Sequence, residues 1–425
     1  MRNYAYKVRI YPDEEQANLI VRTFGCARLV WNLMLLEALE NYKKEKKFNF
    51  STPATFKTEE RAFLKDVDCM ALCNAQLNLK GAFSDYSADK KDPTKQRKRG
   101  FPKLKKRRTA KKAYTTNNGN NDKIRAVGHY LKLPKLGLVK AVFHRRIEGK
   151  IKSVTISQTS SGMFFASILV ELPDVPYVKP DLDKVVGLDF SFSNLFVTSV
   201  GTKTKYTREF KALEKKLGKA QRRLSKKVFG SAGYEKQRRK VARIHETIAN
   251  RRLDCLLKLA KTLIDQYDVI VVEDIDLVGM ARKGKRRRFG KTIMDLGFGL
   301  FRSILERKCS ERGKLFIKAP RFFASTQTCS VCGFKNTELK GMENLGTREW
   351  TCPHCGTHHD RDVNAAQCLV RWFKSIINTG ALPGINADGD VVSTSKTVRS
   401  KRRRGYRKNC KTVDLTSPSL QGGVC

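Results

Sequence analysis

Cys329-Ser330-Val331-Cys332-Gly333 and Cys352-Pro353-His354-Cys355-Gly356 run directly into Thr357-His358-His359-Asp360-Arg361-Asp362-Val363-Asn364-Ala365-Ala366. Two C-x2-C pairs with 19 residues between Cys332 and Cys352 fit four thiolates closing tetrahedrally on one Zn2+. A glycine follows each pair, as a tight metal-binding turn prefers. Four unrelated thiols, or a pair of disulfides, are the competing readings. With all four positions filled the ion would be structural, leaving no open position for substrate. His354, His358 and His359 read as surface or nucleic-acid contacts rather than fifth ligands.

The residues after the knuckle have the composition of a helix start. Asp360 can cap the helix, and Asp362 lies in its first turn, where the helix dipole favours a carboxylate. On their own, two such aspartates are caps as readily as catalysts. The weight comes from two acids upstream.

Lys184-Val185-Val186-Gly187-Leu188-Asp189-Phe190 is a buried-type strand that delivers an aspartate, with 195–200 as its hairpin partner. A core strand carrying an unpaired carboxylate is costly, so Asp189 implies a task. Next, 206–250 reads as two long basic helices broken near Gly230-Ser231-Ala232-Gly233. An amphipathic helix through Leu253, Leu256, Leu257, Ala260, Leu263 and Ile264 then leads into Asp268-Val269-Ile270-Val271-Val272 and ends at Glu273. This is a helix-to-strand unit of an α/β sheet with an acid at the strand's carboxyl end. Asp274 and Asp276 lie beside it, a glycine-broken basic loop spans 282–291, and a helix (298–309) and a strand (314–318) precede the knuckle. Asp189, Glu273 and Asp362 are 84 and 89 residues apart. Brought together, they could hold two Mg2+ ions about 3.5 to 4 Å apart for in-line phosphodiester hydrolysis. Three caps or exposed surface acids are the alternative.

Towards the N-terminus, 4–11 alternates apolar and basic residues as a strand does. Asp13-Glu14-Glu15-Gln16 opens a helix, a second helix follows through Trp31, Leu35, Leu36 and Leu39, and another spans 69–86. On that last helix Asn74 and Gln76 either read base edges or sit on a solvated face. The stretch 90–112 is dominated by Lys and Arg but interleaved with Phe101 and Pro102, which favours a nucleic-acid contact over a loose linker. Short strands at 130–133, 138–144, 151–158 and 163–172, separated by turn residues, suit a small antiparallel barrel that the first strand completes. Pro173 to Pro180 reads as a domain linker.

Lys and Arg number 86 against 41 Asp and Glu, a formal charge of +45. Such a chain expects a polyanion along a long surface. An anionic membrane competes, yet no apolar run approaches the roughly 18 residues of a spanning helix. No signal peptide is expected, and twelve cysteines, four with metal spacing, fit a reducing compartment. Residues 381–425 read as a basic, disordered tail, whose Lys401-Arg402-Arg403-Arg404 is a weak nuclear address.

Val186-Gly187-Leu188-Asp189, Val271-Val272-Glu273-Asp274 and the knuckle followed by Asp360-Arg361-Asp362-Val363-Asn364-Ala365-Ala366 resemble the three RuvC motifs and zinc knuckle of the TnpB family. These are transposon-encoded RNA-guided DNA endonucleases related to compact type V CRISPR effectors. The resemblance extends from Met1 to about Gly380 and takes in Lys7-Val8-Arg9-Ile10-Tyr11-Pro12, Gly100-Phe101-Pro102-Lys103 and Leu133-Pro134-Lys135-Leu136-Gly137. Ser191 departs from it, standing where many such strands carry glycine. The resemblance implies an α+β multidomain chain. A β-barrel wedge domain (1–12 and 118–178) would carry a helical insertion (13–117). A ribonuclease H-like RuvC domain (179–320 and 357–380) would carry the zinc knuckle (321–356). It further implies Asp189, Glu273 and Asp362, rather than Asp360, as Mg2+-binding catalytic acids, and Cys329, Cys332, Cys352 and Cys355 as ligands of one Zn2+. The implied partners are a guide RNA from the element's end and double-stranded target DNA with a short flanking motif; the oligomeric state stays open, with a monomer favoured. The expected location is the nucleoid of a prokaryote, or the nucleus of a eukaryote. A nuclease-inactive DNA-binding regulator, a strand-joining transposase and a general RNA-binding protein are the other readings.

Overall fold

The computed structural model describes residues 1–45, 48–92, 98–119, 122–176, 179–191, 194–204, 210–275, 295–321, 323–339 and 346–378. Asp276, the basic loop at 282–291, part of the 90–112 stretch and the tail beyond 378 lie outside these. The chain divides into two compact units between Asp174 and Val175, inside the proline-rich stretch 173–180.

The first unit is a seven-stranded antiparallel sheet with two long helices inserted after its first strand. The strands are β1 (Arg2–Tyr11), β2 (Ala113–Asn117), β3 (Arg125–Val127), β4 (Tyr130–Leu133), β5 (Gly137–Val142), β6 (Lys150–Gln158) and β7 (Phe164–Leu172). Their order is β2-β6-β7-β1-β5-β4-β3, so β1 sits at the centre between β7 and β5. Alternation puts Tyr6, Val8 and Ile10 of β1 into one core with Val154, Ile156, Ala166, Ile168 and Val170.

The two helices expected at the N-terminus are one, α1 (Glu14–Glu45). Its start is a capping box, the Gln16 amide donating to Asp13 Oδ1 at 2.8 Å and the Asp13 amide to Gln16 Oε1 at 3.2 Å. By length and composition α1 could cross a membrane, against the expectation that no run is apolar enough. Its apolar face is buried in the protein instead. Ile20 and Phe24 enter the sheet core, and Val30, Trp31, Met34 and Leu35 pack on Leu72, Leu79 and Phe83 of α2 (Cys69–Lys91). Asn74 donates to the carbonyls of Met70 and Thr115, and Gln76 to that of Ser51, so these amides brace the fold rather than face outwards.

The basic stretch is anchored. Phe101 packs edge-on against Phe83 and Tyr86, Trp31 Nε1 donates to the Lys103 carbonyl, and Asn32 bonds both the amide and the carbonyl of Lys105. Lys105 Nζ lies 3.3 Å over the Trp31 ring, and partial burial brings its pKa down to about 8.

The second unit is three-layered. Its sheet contains β8 (Val185–Asp189), β9 (Val197–Thr198), β10 (Val269–Glu273) and β11 (Leu315–Ala319), in the order β11-β10-β8-β9. β11, β10 and β8 are parallel, and β9 is antiparallel to β8. Helix α3 (Phe210–Ser225) precedes α4 (Ala232–Gln266). The second basic helix and the amphipathic helix expected from sequence are thus one 35-residue element. The C-terminal half of α4 and α5 (Phe298–Glu311) cover one face of the sheet, where Leu256, Ala260 and Phe301 meet Val186, Leu188, Ile270 and Val272. The last helix, α6 (Arg361–Asn378), covers the other, with Leu369, Phe373 and Ile377 against Val185, Val269 and Val271. Gly187 lets α6 approach. A Cβ there would stand 2.0 Å from the Ala366 carbonyl oxygen, so no larger residue fits.

Candidate metal knuckle and carboxylate site

The two C-x2-C pairs form matching turns. Cys329 and Cys352 each accept at the carbonyl from the following glycine's amide, at 2.9 Å in both. Each also donates its own amide five residues ahead, to Phe334 and Thr357. Gly333 (φ +84°) and Gly356 (φ +70°) are left-handed, as these turns demand. The four sulfurs converge, all within 4.8 Å of one another, and among the described residues this is the group of ligating side chains that does so. The Cys329–Cys355 and Cys332–Cys352 sulfur pairs are each 3.7 Å apart. A tetrahedron with Zn–S bonds near 2.3 Å has edges of about 3.8 Å, so the donor set fits one Zn2+. All ten described cysteines are free, which removes the disulfide reading. The Thr357 hydroxyl and amide hold the Cys355 thiol down to about 6, while the neighbouring thiols help push Cys332 up to about 12, so the sulfurs share their protons unequally.

His359 is not the surface residue expected from the sequence. It is buried, its Nε2 lies 3.1 Å from Cys329 Sγ, and its ring packs on Trp350. It braces a ligand sulfur from the strand β13 (His358–Asp360), which pairs with β12 (Glu349–Thr351).

That strand delivers the chain into α6. Asp360 Oδ1 accepts from the amides of Asp362 and Val363, both at 3.1 Å, and its other oxygen pairs with Lys203 Nζ at 2.6 Å. Its carboxyl is held below the usual range, where burial is outweighed by Lys203 and those amides. Asp360 is therefore the cap, and Asp362 projects from the first turn. Asn364, 1 % exposed, ties α6 back to the knuckle: Oδ1 accepts from the Ser330 amide at 2.9 Å and Nδ2 donates to the Thr328 carbonyl at 2.7 Å. Arg371 Nη1 donates to the carbonyls of Ser330 and Val331 further along the helix.

Two of the acids lie at the carboxyl ends of neighbouring strands. Leu188 pairs with Val272, so Asp189 and Glu273 close neighbouring parallel strands side by side. Asp189 is buried, and its carboxyl is pushed well above the usual range by burial, then by the charges of Asp362 and Glu273, with Arg361 opposing. Glu273 is also raised, by burial and then by Asp274. Asp274 itself faces Arg302 at 3.1 Å and Arg321 at 3.6 Å, which neutralise it. Asp362 has Arg348 at 3.7 Å. Two strand-end carboxylates side by side, with the charge of Asp362 also bearing on the buried Asp189, make a place that a divalent cation would relieve, although the three acids do not gather as tightly as the four sulfurs do. Sequence reasoning gave Arg361 and Asn364 no role and read His359 as an outward contact. Their one sequence signal was position, inside or beside the Asp-Arg-Asp-Val-Asn run.

These features define a mixed α/β protein in which a four-cysteine knuckle that could hold a metal is clamped to the helix that follows two strand-end carboxylates. Three family models match it: "Probable transposase" of the OrfB_IS605 type over 167–284, "Cas12f1-like, TNB domain" over 298–369, and "Helix-turn-helix domain" over 1–47. A Streptomyces pristinaespiralis protein named "Putative RNA-guided DNA endonuclease" is 34% identical over 386 residues, covering 86% of this chain and 88% of its own. InsQ of Escherichia coli K12, named in the same way, is 28% identical over 407 residues, covering 90% and 95%. The chain belongs to the OrfB_IS605, or TnpB, family. A Cas12f1–sgRNA–target DNA complex solved by cryo-EM aligns over 87% of this chain and 98% of its own, at 11% identity and a TM-score of 0.49, too loose a likeness to add weight. The residues matched as helix-turn-helix are here strand β1 and the single helix α1.

Proposed function

We propose that this chain is an RNA-guided DNA endonuclease that hydrolyses phosphodiester bonds at Asp189, Glu273 and Asp362. The observation that carries the reading is the placement of Asp189 and Glu273 at the ends of neighbouring parallel strands, with the charges of Glu273 and Asp362 both bearing on the buried Asp189. Divalent cations, Mg2+ by ligand type, would supply activation of water and stabilisation of the leaving oxygen. The chain's own part is to hold three carboxylates on a sheet and a helix; Asp274 and Asp360 are held closely by basic partners, Asp362 more loosely by Arg348. Relatives named as RNA-guided DNA endonucleases over most of the chain's length, and a charge of +45, support guide RNA and target DNA as partners.

On this reading the second unit is the ribonuclease H-like RuvC domain with its zinc knuckle. The antiparallel sheet of the first is the wedge barrel, carrying α1 and α2 as the recognition insertion. Pairing with the guide reads sequence while the protein reads helix shape and a flanking motif. The protein acts as a monomer at the nucleoid, or in the nucleus if its host is eukaryotic. The "Probable transposase" description of 167–284 favours a second reading, strand joining by the same metal chemistry without guide RNA.

Cleavage of supercoiled target plasmid by protein loaded with its locus RNA and Mg2+ tests both. Activity that needs RNA and is lost in Asp189→Ala, Glu273→Gln and Asp362→Ala is the expected result. Joining of bare element ends without RNA would favour the transposase.

A further inference from the structure

Helices α3 and α4 form a hairpin held by Ala220, Val241 and Ile244, and by Gln237 Nε2 donating to the Ala220 carbonyl at 2.8 Å. Its tip is a built turn. Ser231 caps α4, accepting from the Tyr234 amide at 3.1 Å, while its hydroxyl donates to the Val228 carbonyl at 2.8 Å. Gly230 is left-handed at φ +83°. This turn presents Val228 at 78 % exposure and Phe229 at 68 %, with Met1 the most exposed large apolar residues among those described. The Phe229 ring lies 5.1 Å from that of Tyr234. Between Glu214 and Arg243 the hairpin carries 12 Lys and Arg against 2 acids, and Lys226 and Lys227 adjoin the apolar pair directly.

A single exposed apolar residue needs no explanation, but two adjacent ones on a positively charged tip leave apolar surface for a partner, even with the Phe229 ring beside Tyr234. Neither a protein partner nor an anionic lipid surface, which would also take cations but gains little from two apolar side chains, accounts for both features. A nucleic acid does, with phosphates against the lysines and a base against the ring. The 35 residues of α4 span about 52 Å, so the tip is a long helix away from the strand bearing Glu273 and from the DNA bond cut there. Unpaired bases are offered by the loops, bulges and ends of folded RNA and by the DNA strand displaced when guide pairs with target; the tip's distance from the bond cut in that DNA favours the RNA.

We propose that Val228 and Phe229 form a stacking contact for an unpaired base of the bound guide RNA, with Lys226 and Lys227 on its phosphates. This rests on the RNA-guided reading above.

The test is filter binding of the full-length protein to RNA transcribed from the element's end, at several salt concentrations, beside a DNA duplex of equal length. Phe229→Ala should weaken RNA binding by roughly 10-fold with an unchanged salt slope, and Phe229→Trp should restore it. The Lys226→Gln, Lys227→Gln double variant should flatten the slope by about 1 to 2. Duplex DNA binding should be indifferent to Phe229→Ala. Equal RNA affinity in Phe229→Ala and wild type overturns the stacking contact and leaves the endonuclease reading intact, as does an effect confined to DNA. Absence of RNA binding by the wild type overturns both.

Discussion

Replacing Asn364 by alanine should loosen the knuckle from α6 although no metal ligand is touched. The substitution removes two hydrogen bonds from a side chain that is 1 % exposed. The Thr328 carbonyl keeps the Cys368 thiol at 3.0 Å, so its loss is worth about 1 kcal/mol. The Ser330 amide loses its acceptor outright, which costs about 1–3 kcal/mol. Together the destabilisation is about 2–4 kcal/mol, or roughly 5–12 °C in the transition of a unit of this size. Thermal unfolding of the zinc-loaded protein should show this, and a chromogenic chelator should draw zinc from the variant faster. Asn364→Asp keeps the acceptor for Ser330 but sets a carboxylate oxygen against the Thr328 carbonyl, so it should be no milder. An unchanged transition temperature together with unchanged zinc release in Asn364→Ala would refute the clamp.

Three further outcomes follow from the site. Asp189→Asn should raise the stability of metal-free protein at neutral pH. The raised folded-state pKa costs nothing below the ordinary carboxylate value, and the cost grows as pH rises from there through the folded value, so the gain from amidation should vanish in acid. Mg2+ should stabilise the wild type but not this variant, as melting curves across pH would show. Gly187→Ala forces a Cβ to within 2.0 Å of the Ala366 carbonyl, so α6 must shift; a loss of about 3 kcal/mol or more is expected in denaturant titration. Stripping zinc with a chelator should cost helicity and melt the knuckle with the start of α6, read by circular dichroism and hydrogen exchange over 328–364, and zinc should restore both.

How much of this was legible depended on whether local chemistry and tertiary packing agreed. The knuckle, β8, β10 and the first turn of α6 were readable because ligand spacing, apolar runs and capping residues each specify their element without help. Asp360 and Asp362 were separable only by resemblance; in the structure Asp360 is the cap, held by Lys203 and by the amides of Asp362 and Val363. The breaks predicted inside α1 and α4 do not exist. Gly25 lowers helix propensity in α1 by about 1 kcal/mol, which packing on both sides of it absorbs. In α4 the change from a charged face to an apolar one marks a change of neighbour, from α3 to the sheet, and not an end. Strand β2 hid because its buried residues are Tyr114 and Thr116 in a lysine-rich context, and β3 because none of its residues is buried. His359 was misplaced since nothing in a His-His pair says which ring turns inwards.

The most direct measurement is guide replacement. Protein loaded with locus RNA whose guide segment has been swapped is given Mg2+ and a plasmid library carrying the new target beside randomised flanks. The account predicts that the cut follows the new guide, selects one short flanking motif, and disappears in Asp189→Ala. Cutting that stays at the original sequence, or that persists in Asp189→Ala, would contradict it.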